Sequence, residues 1–264
     1  MYTRKEINNV DGIPVFSEHD FYIENYDRIS QDHIDHFNKT GKNPFMNELY
    51  WSEIEKSTER IIRRNIGTHH NKILDVGVGM GRMLEKFPDL DRYGVDISIE
   101  YLKIARNKGI NVIMSKIEEL PYEDNFFDVI VTTDVLEHVL DLNLSLAKII
   151  SVLRKDGLLV IRVPFKEDLE GYLDPQYPYE YVHLRNFDLY SMRLIIEKVF
   201  KLKFVDYSLA GHLGADIKFF SRRSLMNHIL KFGLRVLFKA KPSWGHSISL
   251  KLCRPVEINY VFSK

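Results

Sequence analysis

The sequence is poor in several features that would assign it to particular protein classes. Its 264 residues contain one cysteine, Cys253, which excludes an internal disulfide framework and suits a reducing compartment. The 37 basic and 37 acidic residues cancel, so no overall field favours nucleic acid as a partner. The chain has no run of about 18 apolar residues that could span a membrane, and its polar start lacks the apolar core of a signal peptide. We therefore expect a cytoplasmic protein that does not bind nucleic acid.

What the sequence does contain is a regular alternation of short apolar runs and segments of helical periodicity. Apolar runs that predict strands occur at 72–76, 92–97, 111–114, 127–133, 158–164 and 202–207. Helical patterns separate them, and this alternation predicts a right-handed, doubly wound parallel sheet. A last, antiparallel strand is expected at either 248–252 or 256–262. With 45% hydrophobic residues, the chain can form one domain with a substantial core.

The most informative stretch is the first of these strands and the turn after it. The strand Lys72–Val76 leads into Gly77–Gly81, which has glycine at every second position, and the helix-like stretch Met83–Phe87 follows. Glycines there allow a sharp turn and the close approach of a ligand, and a helix N-terminus offers unpaired N–H groups. Asp75 would repel a pyrophosphate and attract an ammonium group. The G-x-G-x-G spacing also differs from the dinucleotide fingerprint, so the pattern favours a zwitterionic nucleoside.

A second signal comes one strand later. The segment Arg92–Ile97 predicts a strand that carries Asp96 at its end, with Ser98 as the N-cap of the next helix. Asp96 lies 19 residues after Gly77. An acid at this distance, at the tip of the second strand, can accept hydrogen bonds from both hydroxyls of a ribose.

With these two elements, the stretch from about Asn71 to Phe200 resembles the class I S-adenosylmethionine-dependent methyltransferases. It is most similar to the small-molecule group that includes quinone, sterol and sugar methylating enzymes. The segment Ser115–Asp128 resembles the family's G-D-A-E-x-L-P-F-x-D-x-S-F-D, and Val135–Val139 matches its V-L-E-H-V. The resemblance implies S-adenosylmethionine as the cofactor. It also implies an α/β fold, with a Rossmann-like, seven-stranded, mostly parallel sheet and helices on both faces.

The resemblance further implies which residues hold the cofactor. Asp75 and the glycine turn would bind its amino-acid end, Asp96 its ribose, and Ile117 would form an apolar wall against the adenine. Lys116 replaces the family's acid, and lysine cannot accept a hydrogen bond from the adenine amine. Either backbone atoms near Glu118 make that contact or the alignment is one residue off, and Lys116 could simply point to solvent. The predicted cofactor residues are Asp75, Gly77, Val78, Gly79, Gly81, Asp96, Ile97, Ile117, Glu118 and Thr133.

Two histidines are the candidates for catalysis. His138 could act as a general base because imidazole titrates near neutrality, or it could only hydrogen-bond a neighbouring loop. His183 and Arg185 lie in a segment that resembles the family's H-x-R-x-F stretch. Either could contact substrate or remove a proton, or both could anchor the long loop 165–187. No HExxH-type spacing or cysteine pair predicts a metal site.

The segments before the first strand are predicted to cover the site. Residues 1–17 suggest a loose arm, whereas 18–39 and 47–66 have the periodicity of helices. In methyltransferases of this type such helices form a lid over the cofactor cleft, although plain packing on the sheet explains most of their apolar residues. The predicted substrate contacts are Tyr22, Tyr26, Tyr181 and Arg185, and Tyr50 and Trp51 are weaker candidates.

The C-terminal segment departs most from the family pattern. Between 218 and 241 it has seven lysines or arginines and no acid, interleaved with apolar residues. Such a basic amphipathic helix could lie on an anionic membrane or bind a phosphorylated lipid carrier. It could equally form a dimer contact or pack on the sheet. We divide the chain into an arm and helical lid (1–70), a Rossmann-like core (71–210), and a basic helical insertion with the final strand (211–264).

These observations predict a methyltransferase that acts on a small-molecule, sugar or lipid-linked glycan acceptor, with O-methylation favoured. No Asn-Pro-Pro-Tyr or Asp-Pro-Pro-Tyr segment follows the fourth strand, which argues against methylation of exocyclic amines in nucleic acid. A non-catalytic, cofactor-binding scaffold is one alternative. An NAD-dependent oxidoreductase is another, although the longer glycine spacing and a Tyr-x-x-x-Lys set are missing. The acceptor, the methylated atom and the oligomeric state stay open.

Overall fold

A nine-stranded sheet forms the centre of the protein over the residues described. This computed structural model describes residues 1–42, 44, 48–212, 215–221 and 224–264. The strands are β1 (Asn8–Val10), β2 (Ile13–Val15), β3 (Lys72–Val76), β4 (Asp91–Asp96), β5 (Asn111–Met114), β6 (Phe127–Thr133), β7 (Leu153–Pro164), β8 (Lys203–Ala210) and β9 (Glu257–Ser263). The helices are α1 (Phe21–Thr40), α2 (Glu48–Asn65), α3 (Ile99–Asn107), α4 (Leu142–Val152), α5 (Leu189–Arg193), α6 (Leu225–Ala240) and α7 (Pro242–Leu252).

The sheet has the strand order β1–β2–β5–β4–β3–β6–β7–β9–β8. From β5 to β7 all neighbours run parallel, whereas β9 is antiparallel to both β7 and β8. The seven strands from β5 to β8 in this order confirm the predicted Rossmann-like sheet. The final strand is the second of the two candidates, because residues 248–252 lie in α7.

The central strands are buried on both faces, as expected for parallel strands that helices cover. On β3, Leu74 and Val76 belong to one apolar core together with Leu146 of α4. Ile73 points to the other face, where it shares a core with Ile62 of α2 and residues of α3. Since both faces are filled with side chains, the carboxyl-end edge of the sheet is where a ligand can bind.

The prediction of a loose N-terminal arm is wrong. Residues 8–15 form the hairpin β1–β2, and β2 adds to the edge of the sheet beside β5 through the pair Val15 and Met114. Asp11 and Gly12 both have positive φ angles, 52° and 80°. An Asp-Gly pair with this conformation makes the two-residue turn typical of hairpins. The prediction of an arm rested on the polar character of residues 1–17 and did not take this turn into account.

Two local predictions also need correction. The stretch after the glycine turn is a single 3₁₀ turn, Leu84–Lys86, and not a full helix. Only a few residues separate it from β4, and Pro88 disfavours helical conformation in the residue before it. In addition, β7 begins at Leu153 and not at 158 as predicted, because residues 153–157 continue the strand through an irregular pairing with β6.

The two predicted helices of the lid are present as α1 and α2, and we use the word lid for this pair. The α1 helix begins where the Asp20 side chain accepts a hydrogen bond from the Ile23 N–H group at 3.1 Å, and it ends at Gly41. It packs against α3, where Ser98 Oγ donates to Ser30 Oγ at 2.8 Å and His33 Nδ1 contacts the Tyr101 hydroxyl at 2.7 Å.

The predicted basic segment contains α6, which pairs with α7 between β8 and β9. Arg222 and Arg223 of that segment lie outside the described residues. A small buried cluster, which includes Ile217 and Cys253, joins the two helices to the rest of the protein. Among the helices of the described chain, none combines the length and the apolar character needed to cross a membrane.

Candidate functional site

A cavity of about 340 Å³ lies at the carboxyl ends of the parallel strands, with α1 over it. Its walls come from the segments that follow β3, β4, β5 and β6, and from the first turns of α1. This is the edge of the sheet at which ligands bind in open α/β folds. Eight of the predicted site residues line the cavity: Tyr22, Tyr26, Gly77, Asp96, Ile97, Ile117, Glu118 and His138.

The glycine turn is tightly constrained by its neighbours. Gly77 has a φ angle of 78°, and a Cβ atom placed on it would lie 2.2 Å from Cγ2 of Val135. A Cβ on Gly81, which has a φ angle of 80°, would lie 2.6 Å from Ile110. Only glycine fits at these positions without strain. Gly81 and Val78 support the turn from behind, since neither lines the cavity and Val78 packs on Gly94.

Asp96 is oriented by backbone groups of two segments. Its Oδ2 atom accepts a hydrogen bond from the Gly79 N–H group at 2.8 Å, and Oδ1 accepts from the Ser98 N–H group at 3.0 Å. Burial raises the pKa of Asp96 above its usual value, while these backbone groups oppose that shift. A carboxylate has about four acceptor sites, so the two bonds leave capacity for hydroxyl groups of a ligand.

Asp75 lies at the base of the site and not in the cavity wall. Its side chain is buried, and Oδ1 has no hydrogen-bond partner among the described residues. Burial raises its pKa well above the ordinary value, although the nearby charge of Arg162 opposes this. A buried carboxylate oxygen without a partner is costly. A cationic group bound at the glycine turn would relieve that cost. Thr133, at the end of β6, also does not line the cavity.

Lys116 does not simply point to solvent. Its ammonium group forms an ion pair with the carboxylate of Asp20, and both residues line the cavity. Burial alone would raise the pKa of Asp20. The hydrogen bonds from Lys116 and from backbone groups outweigh burial and lower the pKa below its usual value, so the carboxylate stays ionised. Asp20 thus brings an acceptor next to the position where the family has its acid. Sequence reasoning missed Asp20 because it is 96 residues away.

The two candidate catalytic histidines lie together. The rings of His138 and His183 are 4.5 Å apart between centroids. Burial, and then the proximity of His183, lower the pKa of His138 to about 3. His138 is therefore neutral at physiological pH, and its conjugate acid holds a proton weakly, which does not favour the general-base interpretation. His183 does not line the cavity, and its Nδ1 atom contacts the carboxylate of Glu167.

Arg185 anchors the long loop 165–187, which is one of the roles predicted for it. Its guanidinium group donates to the carbonyl oxygens of Leu136 at 3.0 Å and Leu140 at 3.2 Å, and also to that of Val139. These bonds fix the turn that carries His138. Substrate contact by Arg185 stays a prediction.

Asn25 joins the lid to the long loop, a role that the sequence did not reveal. Its side-chain amide donates to the carbonyl oxygen of Tyr181 at 3.0 Å, and its Oδ1 atom accepts from the Glu180 N–H group at 3.1 Å. The Tyr181 ring lies 6.0 Å from that of Tyr22. Tyr181 therefore closes over the lid side of the site without lining the cavity itself.

Arg162 is another residue near the site that sequence reasoning missed. It is a buried charge in the apolar run 158–164 of β7, and this exception was the available signal. Its Nε atom donates to Asp134 Oδ1 at 3.1 Å, and its Nη1 atom donates to Thr58 Oγ1 at 3.2 Å. Thr58 in turn donates to Asn259 at 2.7 Å. This network connects α2, β7 and β9 beneath the site.

Comparisons with known proteins agree with this geometry. Residues 74–161 match the family described as "Methyltransferase domain". An uncharacterized protein of Methanocaldococcus jannaschii is 31% identical over 156 residues, which cover 59% of this chain and 72% of that protein. The ubiquinone/menaquinone biosynthesis C-methyltransferase UbiE of Pectobacterium atrosepticum is 31% identical over 135 residues, 46% of this chain and 54% of that enzyme. The chain thus spans about half the length of this enzyme.

Solved structures show the same fold. An S-adenosylmethionine-dependent methyltransferase from Thermotoga maritima superimposes with a TM-score of 0.56 at 17% identity, covering 92% of this chain and 99% of that one. One from Archaeoglobus fulgidus gives 0.51 at 20% identity, covering 80% and 94%. At these identities the likeness concerns the fold alone.

The chain belongs to the class I S-adenosylmethionine-dependent methyltransferases, and S-adenosylmethionine is its cofactor. The residues at the cavity fit that molecule. The unpartnered Asp75 oxygen suits its ammonium group, Asp96 suits its ribose, and the glycine turn leaves room where a Cβ would intrude. The family match argues against the alternative of an NAD-dependent oxidoreductase, because the matched family is a methyltransferase domain.

Proposed function

We propose that the protein transfers the methyl group of S-adenosylmethionine to a hydroxyl group of a small or carrier-linked acceptor, with a lipid-linked sugar as the first candidate. The observation that carries the proposal is the mixed wall of the cavity beside Asp96. There Tyr22, Tyr26 and His138 stand among apolar residues. Aromatic rings with polar edges suit the faces and hydroxyl groups of a sugar or a similar ring.

The residues have separate proposed roles. Asp75 and the glycine turn hold the amino-acid end of the cofactor, Asp96 holds the ribose, and Ile117 covers the adenine. Bound S-adenosylmethionine supplies an electrophilic methyl group on a positively charged sulfur, so the protein has to position an acceptor oxygen and keep water out. The tyrosine pair, with ring centroids 4.9 Å apart, supports a role in positioning.

We expect an acceptor to reach the cavity between the lid and the long loop. Asn25 ties these two elements together, so we expect them to move as one unit when an acceptor enters. Closure of such a cover excludes water, which strengthens polar interactions inside and prevents side reactions.

A surface on α6 supports a lipid-linked acceptor. Leu225, Ile229, Phe232 and Val236 follow one face of the helix and are all exposed, with Phe232 70% accessible. Arg235, Lys239 and Lys241 are exposed on the same helix or directly after it. An apolar stripe with basic neighbours suits the surface of an anionic membrane. We propose that α6 makes a peripheral contact with such a membrane.

The membrane contact can be tested by sedimentation with vesicles. We expect binding to phosphatidylglycerol vesicles, weaker binding to phosphatidylcholine vesicles, and a loss of binding in the double variant Ile229→Ser, Phe232→Ser. Each basic residue near the surface contributes about 1 kcal/mol. Leu173→Ser is the matched control, because Leu173 is 84% exposed but lies in the long loop. Equal binding by both variants would contradict the proposal.

The acceptor is tested with trideuteromethyl-labelled S-adenosylmethionine and a panel of nucleotide sugars, polyprenyl-phosphate sugars, phenols and reduced quinones. The proposal predicts label on an oxygen of a glycan. A second candidate, C-methylation of a quinol, is favoured by the similarity to UbiE over 46% of the chain. Label on a ring carbon would support that candidate. Cofactor binding without any product would support the non-catalytic scaffold.

A further inference from the structure

Three potential metal ligands meet between the turn after β6 and the long loop. Glu137, His138 and His183 each place one nitrogen or oxygen atom within 4.8 Å of the others. Glu137 Oε1 lies 3.9 Å from His138 Nε2. This distance is too long for a hydrogen bond but is compatible with two atoms that bind the same ion.

Glu137 lacks the partners that a buried carboxylate needs. Its side chain is fully buried, and neither of its carboxylate oxygens has a hydrogen-bond partner among the described residues. Buried carboxylates are normally hydrogen-bonded, paired or bound to metal ions. Next to it, His138 Nδ1 is also buried without a described partner. Glu137 and His138 therefore each have buried polar atoms without a described partner, and the His138 atom nearest to Glu137 is Nε2.

His183 is held by a carboxylate in the way that is typical of histidines that bind metal ions. Its Nδ1 atom contacts Glu167, and the Tyr172 hydroxyl donates to the same carboxylate at 2.9 Å. A proton on Nδ1 would satisfy this contact with the carboxylate and leave Nε2 as an acceptor. Histidines that bind metals usually donate their other ring N–H to a carboxylate in this way, which fixes the tautomer and the ring orientation.

We propose that Glu137, His138 and His183 bind one divalent first-row transition-metal ion, such as Zn²⁺, Mn²⁺ or Co²⁺. Imidazole nitrogens prefer these ions to Mg²⁺, which prefers oxygen ligands. A set of two histidines and one carboxylate leaves a coordination position open. No metal site was predicted because the sequence has no HExxH-type spacing and no cysteine pair. Glu137 and His138 are adjacent, and His183 follows 45 residues after His138, which is not a known motif spacing.

The place of this site explains what the ion would do. His138 also lines the cofactor cavity, so an ion bound by His138 would lie beside that cavity. A hydroxyl group bound to a divalent ion loses its proton to solvent more readily, and it is held in one orientation. This consequence depends on the proposed O-methylation, whereas metal binding does not.

The direct test is a Co²⁺ titration of untagged protein stripped of metal with a chelator, followed by visible absorption, with Zn²⁺ competition. We expect one equivalent to bind with ligand-field bands that Zn²⁺ removes. Glu137→Gln and His183→Gln should abolish the bands. Glu167→Gln should weaken binding about 10- to 100-fold, as is typical when a group that hydrogen-bonds a metal ligand is changed.

The controls separate loss of the site from loss of the fold. His70→Gln is the matched variant, because His70 is also buried and has a ring nitrogen, Nε2, without a described partner, but it lies outside the cluster. It should bind Co²⁺ like the wild type. All variants should bind S-adenosylhomocysteine in calorimetry, which shows that the cofactor site is intact.

Several results would overturn the proposal. No Co²⁺ or Zn²⁺ binding, binding of Mg²⁺ alone, or bands that persist in both Glu137→Gln and His183→Gln would each do so. The proposed function fails differently. If the protein binds the ion but methylates no hydroxyl acceptor, the metal site is supported and the proposed O-methylation is contradicted. If stripped protein methylates a hydroxyl as fast as metal-loaded protein, the function stands and the role of the ion falls.

Discussion

The two ends of the cavity are built in different ways. The cofactor end consists of backbone turns and strand tips within the short stretch from Asp75 to Asp96, where neighbours in space are also neighbours in sequence. The acceptor end combines side chains from α1, from the turn after β6 and from the long loop, such as Tyr22, His138 and His183. The first arrangement comes from one local stretch of sequence, whereas the second depends on contacts between distant segments. The difference implies that changes at the cofactor end should affect every reaction of the protein, and changes at the acceptor end only particular ones.

The largest effect is expected from Gly77→Ala at the cofactor end. The new Cβ atom would meet Val135 at 2.2 Å. Overpacking of this kind costs about 1–3 kcal/mol, and the left-handed conformation adds roughly 1–2 kcal/mol. We expect the affinity for S-adenosylhomocysteine in calorimetry to fall about 100-fold or more. Gly79→Ala is the comparison, because its Cβ would meet nothing within 4 Å. Equal losses in both variants would show that steric fit to Val135 is not the cause.

A smaller and more selective effect is expected from Asp75→Asn. The amide removes a buried charge, so the free energy of unfolding should stay equal or rise. The ammonium group of the cofactor would lose an ionic partner, so affinity should fall about 10- to 100-fold, since hydrogen bonds to charged groups contribute about 1.5–3 kcal/mol. Calorimetry and urea unfolding measure the two quantities. Unchanged affinity would remove Asp75 from the cofactor site.

Asp20 tests whether the lid supplies part of the cofactor end. We expect Asp20→Asn to weaken binding of S-adenosylhomocysteine about 10-fold, the value of one good hydrogen bond to a charged group. Lys116→Met removes the ion-pair partner and should have a smaller effect, because lysine cannot accept from the adenine amine. If the two variants weaken binding equally, the ion pair itself, and not the Asp20 acceptor, is what matters.

The smallest expected effect concerns the contact between lid and core at His33. Burial, and then the charge of Arg82, lower the pKa of His33 from 6.5 to about 4. The folded state therefore binds fewer protons than the unfolded state between these values. The stability that the neutral ring contributes is present above pH 6.5 and is lost as the pH falls towards 4. The slope for one group is at most about 1.4 kcal/mol per pH unit.

His33→Gln should reduce this acid destabilisation, measured by urea unfolding at a series of pH values. His36→Gln is the comparison, because His36 is exposed on the same helix and is the smallest of the three causes that lower the pKa of His33, so it should change the pH dependence less. Identical pH dependence in the wild type and His33→Gln would show that the lid contact does not depend on a neutral His33.

The comparison of the two ends also explains how much the sequence could predict. The doubly wound parallel sheet, the glycine turn and the position of Asp96 followed from local patterns, because the turn and Asp96 lie at the ends of their strands. The ion pair of Lys116 with Asp20 joins residues 96 positions apart, and the hydrogen bond of Asn25 to Tyr181 in the long loop joins residues 156 positions apart. No periodicity or spacing records such contacts. The N-terminal hairpin was predictable in principle from its Asp-Gly turn, but the polar residues 1–17 were interpreted as a loose arm.

The exposed apolar stripe on α6 and the cluster of Glu137, His138 and His183 could not be predicted from the sequence for a different reason. The sequence showed that 218–241 is basic and apolar, but not that Phe232 and Ile229 remain exposed after folding. It showed Glu137 and His138 as part of a family segment, but not that His183 would join them. In both cases the chemistry depends on what tertiary packing leaves without a partner.

The central claim is that the cavity at Gly77 and Asp96 holds S-adenosylmethionine. The most direct measurement is isothermal titration of the protein with S-adenosylmethionine, S-adenosylhomocysteine and NAD, repeated on Asp96→Ala. We predict that the first two bind with dissociation constants on the order of micromolar, about −8 kcal/mol, that Asp96→Ala loses this binding, and that NAD does not bind. Preference for NAD, or equal binding by wild type and variant, would contradict the account.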